Sequence, residues 1–563
     1  MTFKSLNQAL DIPTNVTIWQ WLFGPNGLQT RTAGFTNTAT KERINYGQLQ
    51  EYATYLSTAL VRKYGLQAGD TIVLCSPNTV WYPVAMVAAG RVGAIVSSVS
   101  PEYGVTEMIH ALKTVQPKYL ITVASRLSVA REAAESIGLL RDQILLLDDE
   151  VEGHVSLGQL LKLGKAYGAT DQVLPFQIPR GKINADICAF ISFSSGTSGL
   201  PKAVMISHGN VIAQCLQVQL ITPLNYRKVL AALPLFHITG LIHQLHLPIL
   251  LDAEVYMLPS FTMETMLKVI VEYQIIDLLL VPPIIIRLVR DPIVNKYDLS
   301  HVKRFFSGAA PLSAEIIQLI QNKFPETGFR QAYGMTESCS AITMHPLNLY
   351  DYKYARHGGK IVANTEIKII DPEDNTRELG YDECGEILAR GPQVVMGYLN
   401  NEKATRETFD ADGWLHTGDI GSIDRQGFIT ITDRIKELIK VKGVGVAPAE
   451  LEDLLLSHPA VEDVAVTSIP DEYSGERPKA YVVAKKAYAE SDDRLAHVGY
   501  EVIEYVKKSR ARQKWIVEVE FLKAIPKSPS GKILRRVLRD LEQKGVSRGV
   551  VVKDDKRQSQ AKL

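Results

Sequence analysis

The sequence predicts an α/β protein with two parts: a large N-terminal region of several subdomains with mostly parallel sheets, and a small C-terminal α+β domain. Three observations lead to this prediction. Short apolar runs alternate with helical patterns over the first part of the chain, as they do in βαβ units. After Asp433 the pattern changes to a compact set of strands and helices. The length of 563 residues is enough for several domains.

The elements of the N-terminal region are predicted from apolar runs and their boundaries. Residues 187–191 are typical of a buried strand, and so is the run 277–281, which Pro282 and Pro283 close. The run 328–332 leads into a polar and aromatic segment. The other predictions are strands at 71–74, 93–96 and 118–123, a helix at 80–91, and buried strand and helix within 229–251.

The C-terminal domain is predicted to begin after a boundary between residues 431 and 436. The tail after Gln543 is polar, so it is predicted to be mobile. The predicted elements are helices at 448–457, with Pro448 near its start, and 494–508, and strands at 461–468, 479–484 and 516–521.

Composition and charge argue against several classes of protein. Lys and Arg (62) balance Asp and Glu (61), so no basic field indicates a nucleic-acid partner. The five cysteines form no CxxC pair, which favours reduced core residues of an intracellular protein over a metal site. The N-terminus lacks the apolar core of a signal peptide. The apolar stretch 229–251 contains prolines and histidines, so no membrane span is expected.

The most informative segment directly follows the buried strand at 187–191. Glycines allow close approach, successive N–H groups bind anions, hydroxyls donate and a lysine adds charge, so the segment suits a polyphosphate. The spacing fits neither a Walker loop nor a dinucleotide fingerprint, and an ordinary Gly/Ser turn is the alternative. The candidate phosphate-binding residues are Ser194, Ser195, Gly196, Thr197, Ser198, Gly199 and Lys202.

Five further segments accompany this loop in a fixed order. They are Ala-Ala-Pro at 309–311, Gln-Ala-Tyr-Gly-Met-Thr-Glu at 331–337, Gly-Trp-Leu-His-Thr-Gly-Asp at 413–419, the basic run 433–443, and Pro-Lys-Ser-Pro-Ser-Gly-Lys at 526–532. Together they resemble the adenylate-forming superfamily of acyl-CoA synthetases, luciferases and carrier-protein adenylation domains. The chain is most similar to the 4-coumarate-CoA-ligase-like branch, including fungal aryl- and acyl-CoA ligases. The resemblance spans nearly the whole chain and implies the adenylate-forming fold.

The resemblance implies how the N-terminal region binds ATP. Tyr333 would stack on adenine, and the two oxygens of Asp419 would accept the ribose hydroxyls. Thr336 would donate to a phosphate oxygen, and Glu337 would hold Mg²⁺ as a hard oxygen ligand. Taken alone, Tyr333 has the alternative interpretation of a core aromatic residue, Asp419 that of a turn residue, and Glu337 that of a carboxylate at the start of a helix. Further nucleotide-binding positions are Ala309, Ala310, Pro311, Gln331, Ala332, Gly334 and Met335.

The resemblance also implies a mobile C-terminal lid. Lys532 would contact the carboxylate and the α-phosphate during adenylation, and the lid would rotate about a hinge at Lys436 between the two half-reactions. The implied domains are residues 1–433, a hinge at 434–436, a lid at 437–543 and a tail at 544–563. Arg535 and Arg536, which follow Lys532, are interpreted as a solvated helix face.

The basic run 433–443 would serve both half-reactions. Arg434 is implied near the ribose, and Lys440 in thioester formation. Lys442 and Gly443 would line the tunnel for the thiol, where a glycine lets the pantetheine pass close to the backbone. Gly445 stands where the plant enzymes usually have glutamine, so no side-chain contact to the adenylate is assigned to it.

The acid pocket is implied by the segment around His237, which would lie near the acyl carboxylate and the thiol path. The alternative for His237 is a hydrogen-bonded core histidine. Ile238 is a further pocket residue. Coumarate ligases typically have tyrosine where this chain has Thr239, serine where it has His243, and glycine where it has Ala332. The substrate is therefore not expected to be 4-coumarate itself. Segments 238–243, 307–311 and 332–334 contain no Lys or Arg, which favours a neutral aryl or medium-chain acid.

The expected activity is that of an acid–thiol ligase. A carboxylic acid is activated by ATP to an acyl-adenylate and transferred to coenzyme A, giving acyl-CoA, AMP and pyrophosphate. The acid is already ionised at neutral pH, so the first step needs charge neutralisation and alignment and no general base. An adenylation enzyme that loads a carrier protein in trans, a luciferase-like oxygenase and a non-catalytic nucleotide-binding scaffold are the alternatives.

The last residues, Gln560-Ala561-Lys562-Leu563, are a close variant of the Ser-Lys-Leu peroxisomal address. They predict a peroxisomal import receptor as a partner and a peroxisomal location, with a cytoplasmic location otherwise. The alternative is a solvated charged tail with an accidental ending.

Overall fold

The computed structural model describes residues 1–24, 32–194, 201–308, 310, 312, 314–374, 376–442, 444–471, 473–528 and 531–554. Across these residues the strands form five sheets, four before the basic run and one after it. The large hydrophobic cluster of the N-terminal region and the cluster of the C-terminal domain are separate. This agrees with the predicted α/β class and the adenylate-forming fold.

The largest sheet has eight strands and includes the two strands on either side of residues 195–200. Its strands from Cys188–Ser194 to the far edge are parallel, as the alternating pattern predicts, and the other two are antiparallel. Lys202 pairs with Ser194 across the two antiparallel strands that flank residues 195–200. In spatial order the strands are Gly397–Tyr398, Lys202–Ser207, Cys188–Ser194, Ile95–Val99, Thr71–Cys75, Tyr119–Thr122, Ile144–Leu146 and Val155–Ser156.

Two further sheets complete the alternating part of the fold. In the five-stranded one, the first three strands are parallel and end beside one another, the edge at which α/β sheets usually bind ligands. Its strands are Asp277–Leu280, Arg304–Ser307, Gly328–Met335, Ser340–Met344 and Lys360–Ile361. The four-stranded sheet consists of Lys228–Ala231, Glu254–Met257, Gly34–Asn37 and Arg43–Asn45.

An antiparallel sheet forms the last part of the N-terminal region. Asp419 and Arg434 are paired residues on its two last strands, so a carboxylate and a guanidinium meet at the sheet end next to the hinge. In spatial order its strands are Thr2–Lys4, Glu366–Ile370, Gly385–Arg390, Leu415–Ile423 and Ile429–Arg434.

Some helices bury one apolar face, whereas Trp81–Arg91 is buried on nearly all sides. In Tyr46–Arg62, Leu49, Ala53, Leu56 and Leu60 are buried at helical spacing, and Asn45 caps the first turn. The other helices of the N-terminal region are Ile18–Phe23, Trp81–Arg91, Val105–Val115, Leu127–Glu135, Leu157–Ala166, His208–Leu220, Leu247–Leu251, Met263–Tyr273, Pro282–Arg290, Ala314–Lys323 and Glu402–Thr408, with a π-helix at Gly240–His246.

The C-terminal domain is an α+β unit with its own core. Val461–Asp471 and Gly475–Ala484 form a long hairpin, and Pro448–Leu456, Asp492–Ser509 and Arg535–Gln543 are its helices. The other strands are Val444–Val446, Ile439–Val441, Glu518–Phe521 and Val551–Lys553.

Two sequence predictions need correction here. The polar tail was predicted from residue 544, but Val551–Lys553 pairs with Glu518–Phe521, and Val552 is buried in the core of the domain. A short apolar run therefore completes the sheet. The strand predicted at 93–96 is Ile95–Val99 instead, because Gly93 has a φ of +79° and belongs to the preceding turn.

The apolar stretch 229–251 is strand and helix, as predicted. It contains Lys228–Ala231, the buried π-helix Gly240–His246 and Leu247–Leu251. None of the described helices combines the length and apolar character that crossing a bilayer requires. All five cysteines are free thiols, and three of them are buried: Cys75, Cys215 and Cys339.

Candidate active site

One cavity of about 370 Å³ lies where the eight-stranded, five-stranded and antiparallel sheets meet the C-terminal domain. It brings together predicted residues that are far apart in the sequence. Those lining it are Ser194, Lys202, His237, Ile238, Thr239, His243, Ala332, Tyr333, Gly334, Met335, Thr336, Glu337, Arg434, Lys436 and Lys532.

Several predicted positions cannot be placed in this cavity. Ser195, Gly196, Thr197, Ser198, Gly199, Ala309, Pro311 and Gly443 lie outside the described residues. Ala310 is half-buried. Gln331 is buried, and its side-chain amide donates a hydrogen bond to the Ala355 carbonyl. In the structure, the Gln331 side chain therefore binds a backbone carbonyl.

Asp419 is a buried acceptor held by two residues that line the cavity, Tyr333 and Arg434, although it is not itself a lining residue. Its Oδ2 accepts a hydrogen bond of 2.8 Å from the Tyr333 hydroxyl, and its Oδ1 lies 3.0 Å from Arg434 Nε. Burial raises the pKa of Asp419, while the Arg434 charge opposes that rise. Both carboxylate oxygens therefore have a protein partner in this structure, and the contact to a ribose diol stays a prediction.

Glu337 and Lys202 meet at a tyrosine that the sequence analysis did not identify. The Tyr398 hydroxyl donates to Glu337 Oε1 at 2.9 Å, and Lys202 Nζ lies 4.4 Å from the centroid of the Tyr398 ring. Tyr398 is on the two-residue edge strand of the eight-stranded sheet. An isolated aromatic at such an edge has no sequence pattern that marks it.

Four cations line the same cavity among the described residues: Lys202, Arg434, Lys436 and Lys532. Two come from the N-terminal sheets, one from the hinge, and one from the C-terminal domain. Glu337, Glu386 and Glu407 line the cavity as well, so its cations exceed its carboxylates by one. The four cations suit a polyanion such as a nucleoside triphosphate.

Lys532 reaches the cavity on a tight loop of the C-terminal domain. The Ser528 hydroxyl accepts a hydrogen bond of 3.1 Å from the Lys532 backbone N–H. Gly531 has a φ of +82°, and a Cβ there would lie 2.6 Å from two ring atoms of Pro283 in the N-terminal region. Burial lowers the pKa of Lys532 to about 8, and Arg434 adds to this effect.

The hinge contains a hydrogen bond between the two domains. Asp433 Oδ2 accepts the backbone N–H of Ala449 at 3.0 Å, in the first turn of the helix Pro448–Leu456. Its Oδ1 accepts the Arg434 N–H at 2.7 Å. Burial raises the pKa of Asp433 to about 6. The helix N-terminus compensates part of the cost of this buried carboxylate.

Lys440 and Lys442 do not line the cavity. Both are exposed on the hairpin formed by Ile439–Val441 and Val444–Val446, as is Gly445. Lys442 Nζ lies 3.9 Å from the ring centroid of Tyr473, which is also exposed. In this domain orientation, Lys532 is at the cavity and the hairpin is at the surface.

The interpretation of Arg535 and Arg536 as a solvated helix face is wrong for Arg535. Its guanidinium binds Glu437 at 2.6 Å and Glu452 at 2.7 Å, and only 11% of the Arg535 side chain is exposed. It is therefore not on a solvated face, whereas Arg536 is exposed as expected. The partners are too distant in sequence for a local pattern to reveal them.

The opposite end of the cavity has apolar walls and neutral histidines. Burial lowers the pKa of His237 to about 4 and that of His243 to about 3. His243 Nε2 lies 3.1 Å from the Ser340 hydroxyl. Apolar lining is provided by Ile238, Leu279, Phe306, Ala332 and Ala341.

A buried arginine lies behind this wall. The Arg330 guanidinium is 4.3 Å from the Phe306 ring centroid and donates to the Ile221 carbonyl and the Tyr350 hydroxyl. Phe306 lies between Arg330 and the cavity. The charge of Arg330 is already engaged, because its guanidinium makes these three contacts. Arg330 lies outside the three segments that the sequence analysis searched for cations.

The fold and the site together define a class: a two-domain adenylate-forming enzyme whose C-terminal domain places a lysine, Lys532, at a cavity of the N-terminal domain. Residues 29–399 match the AMP-binding enzyme family, and residues 450–532 match the AMP-binding enzyme C-terminal domain. The chain belongs to this family of AMP-binding enzymes.

The chain is similar to known proteins over nearly its full length. The chain is 36% identical to 4-coumarate–CoA ligase 1 of Petroselinum crispum over 550 residues, 96% of each chain. It is 36% identical over 553 residues to 4-coumarate–CoA ligase-like 1 of Arabidopsis thaliana, again 96% of each. Among solved structures, ATP-bound MatB from Rhodopseudomonas palustris superposes with a TM-score of 0.81 at 26% identity, covering 94% of this chain and 99% of that one.

Proposed function

We infer that this protein is an AMP-forming acid–CoA ligase. It activates a carboxylic acid with ATP and transfers the acyl group to coenzyme A. The observation that carries this inference is the position of Lys532, which lines one cavity with the phosphate lysine Lys202 and with Tyr333 and Arg434, the two partners of Asp419.

In the first half-reaction, a carboxylate oxygen attacks the α-phosphorus. A new oxygen–phosphorus bond forms, and the bond to the β-phosphate breaks with its electron pair leaving on pyrophosphate. Lys202 is placed for the departing phosphates and Lys532 for the charge that develops at the α-phosphate. The acid enters ionised, so these residues hold charge and move no proton.

Glu337 fits a Mg²⁺ ion on the triphosphate. It is a carboxylate at the cavity wall, and Tyr398 orients one of its oxygens, as second-shell partners of metal ligands do. The ion would neutralise phosphate charge. Thr336, which also lines the cavity, would donate its hydroxyl to a phosphate oxygen.

The second half-reaction requires the other face of the lid. Rotation about Lys436 would remove Lys532 and bring the hairpin with Lys440 and Lys442 to the cavity. The thiol sulfur of coenzyme A, having lost its proton, would then attack the acyl carbon, and AMP would leave. The exposure of both lysines in the present orientation supports this assignment.

The acid is proposed to have a neutral aryl or medium-chain tail. The walls at that end are apolar, His237 and His243 are neutral at physiological pH, and Arg330 is engaged behind Phe306. A second carboxylate would therefore be buried without a partner, at substantial cost.

An acid panel tests the activity. With ATP, Mg²⁺, CoA and a neutral aryl or medium-chain acid, we expect pyrophosphate and acyl-CoA in equal amounts, and less product from the matched dicarboxylic acids. Pyrophosphate without acyl-CoA would favour carrier loading or oxygenation. Absence of ATP binding would contradict the enzyme assignment.

A peroxisomal location is proposed from Ala561-Lys562-Leu563, which lie outside the described residues. Deleting these three residues should leave catalysis unchanged and abolish import by the receptor. An unaltered location in cells would contradict the proposal.

A further inference from the structure

Tyr398 lies between two groups that the proposed reaction needs. Its strand, Gly397–Tyr398, pairs with Lys202–Ser207, and Tyr398 is opposite Val204. The neighbouring Leu399 N–H donates to the Ala203 carbonyl at 2.8 Å, and Met396 N–H donates to the Met205 carbonyl at 3.0 Å. The backbone of Tyr398 is thus tied to the strand that begins with Lys202.

The ring of Tyr398 holds the ammonium of Lys202. The distance of 4.4 Å from Nζ to the ring centroid is within the range of a cation–π contact. The Phe409 ring packs at a tilt against the Tyr398 ring, with the two ring centroids 6.0 Å apart. A flexible lysine is therefore given a preferred position before any phosphate arrives.

The hydroxyl of Tyr398 holds Glu337. It donates to Oε1 at 2.9 Å, and the Val395 N–H donates to the Glu337 carbonyl at 3.1 Å. One carboxylate oxygen is restrained by this bond, and the second would be the one to bind a cation.

We propose that Tyr398 is a positioning residue that fixes Lys202 and Glu337 relative to one another, so that the metal-bound triphosphate meets both at once. This inference rests on the proposed function. The ring and the hydroxyl make separable contributions: the ring acts on Lys202 and the triphosphate, and the hydroxyl acts on Glu337 and Mg²⁺.

Two variants separate these contributions by ATP binding, measured by calorimetry with and without Mg²⁺. Tyr398→Phe keeps the ring, so metal-free ATP affinity should stay within about twofold, while the gain from Mg²⁺ should fall about tenfold, as for lost second-shell bonds. Tyr398→Leu should also weaken metal-free ATP binding severalfold. The control Tyr82→Phe removes a buried hydroxyl that donates to Ser98 at 2.8 Å, and it should change neither quantity.

Kinetics provide the second readout. In Tyr398→Phe, the Mg²⁺ concentration for half-maximal adenylation should rise about tenfold, while thioester formation from supplied acyl-adenylate should keep its rate. An unchanged Mg²⁺ dependence in Tyr398→Phe would overturn the inference, and so would equal losses in both half-reactions. If the wild-type enzyme itself forms no acyl-CoA with any acid, the proposed function fails instead, and the binding measurements still test Tyr398.

Discussion

At the scale of single residues, the site holds charged groups in surroundings that change their pKa. Lys532 shows this most clearly. Burial lowers its pKa to about 8 before substrates bind, with Arg434 as a second cause. An α-phosphate and a carboxylate beside the ammonium would favour the charged form and raise the pKa again.

ATP binding should therefore take up protons at mildly alkaline pH. At pH 8.5 we expect an uptake of about 0.5 to 0.8 proton, because free Lys532 is then mostly neutral and the bound form is charged. Affinity for ATP should fall as pH rises above 8, the value near which Lys532 titrates. Calorimetry in buffers of different protonation enthalpy measures the uptake.

The variant Lys532→Gln is the control for this prediction. It lacks the titrating amine and should take up at least about 0.5 proton less than wild type under the same conditions. Equal uptake in both proteins would show that another group titrates.

At the scale of elements, Gly531, next to Lys532, lies close to Pro283 in the first turn of the helix Pro282–Arg290. Gly531 allows this approach in two ways: its φ is +82°, and its missing Cβ leaves room for Pro283. A side chain at this position would both strain the loop and collide with a rigid ring.

Gly531→Ala should slow adenylation at least tenfold by hindering this contact and spare thioester formation, in which the loop has moved away. Single-turnover pyrophosphate release measures the first effect. Gly545→Ala is the matched control, because Gly545 also has a positive φ, +62°, but no atom near the added Cβ. A similar loss in both variants would attribute the effect to backbone strain alone.

The Arg535 network holds the helix behind that loop to the rest of the domain. Glu437 and Glu452 are both buried, and removing Arg535 would leave two uncompensated carboxylates. Arg535→Met should destabilise the C-terminal domain by about 3–5 kcal/mol. Native-state hydrogen exchange in the strand Val461–Asp471 measures this loss. The exposed neighbour gives the control: Arg536→Met should change stability by less than about 0.5 kcal/mol.

These elements also show what could be predicted from sequence. The helix expected at 448–457 is Pro448–Leu456, because a proline at the first turn marks its start locally. Arg535 was misplaced because its burial depends on Glu437 and Glu452, 98 and 83 residues away. Tyr398 was missed for the same reason, since Glu337 is 61 residues away. Motif residues were predictable, and the contacts that position them were not.

At the scale of the whole molecule, two domains with separate cores share one cavity. The N-terminal region provides Lys202, Glu337, Tyr333 and Arg434, the last two being the partners of Asp419, and the small domain adds Lys532. The Asp433–Ala449 hydrogen bond and the Gly531–Pro283 contact join the two domains in the present orientation, in which Lys532 lines the cavity. The hairpin with Lys440 is exposed in the same orientation, so the proposed role of Lys440 in thioester formation requires a second arrangement of the two domains.

The most direct test of this division compares the two half-reactions in Lys532→Ala. Pyrophosphate release in a single turnover should fall by orders of magnitude, whereas acyl-CoA formation from supplied acyl-adenylate and CoA should keep most of its wild-type rate. Equal loss in both half-reactions would contradict the assignment of Lys532 to adenylation and the proposal that the lid rotates between the two steps.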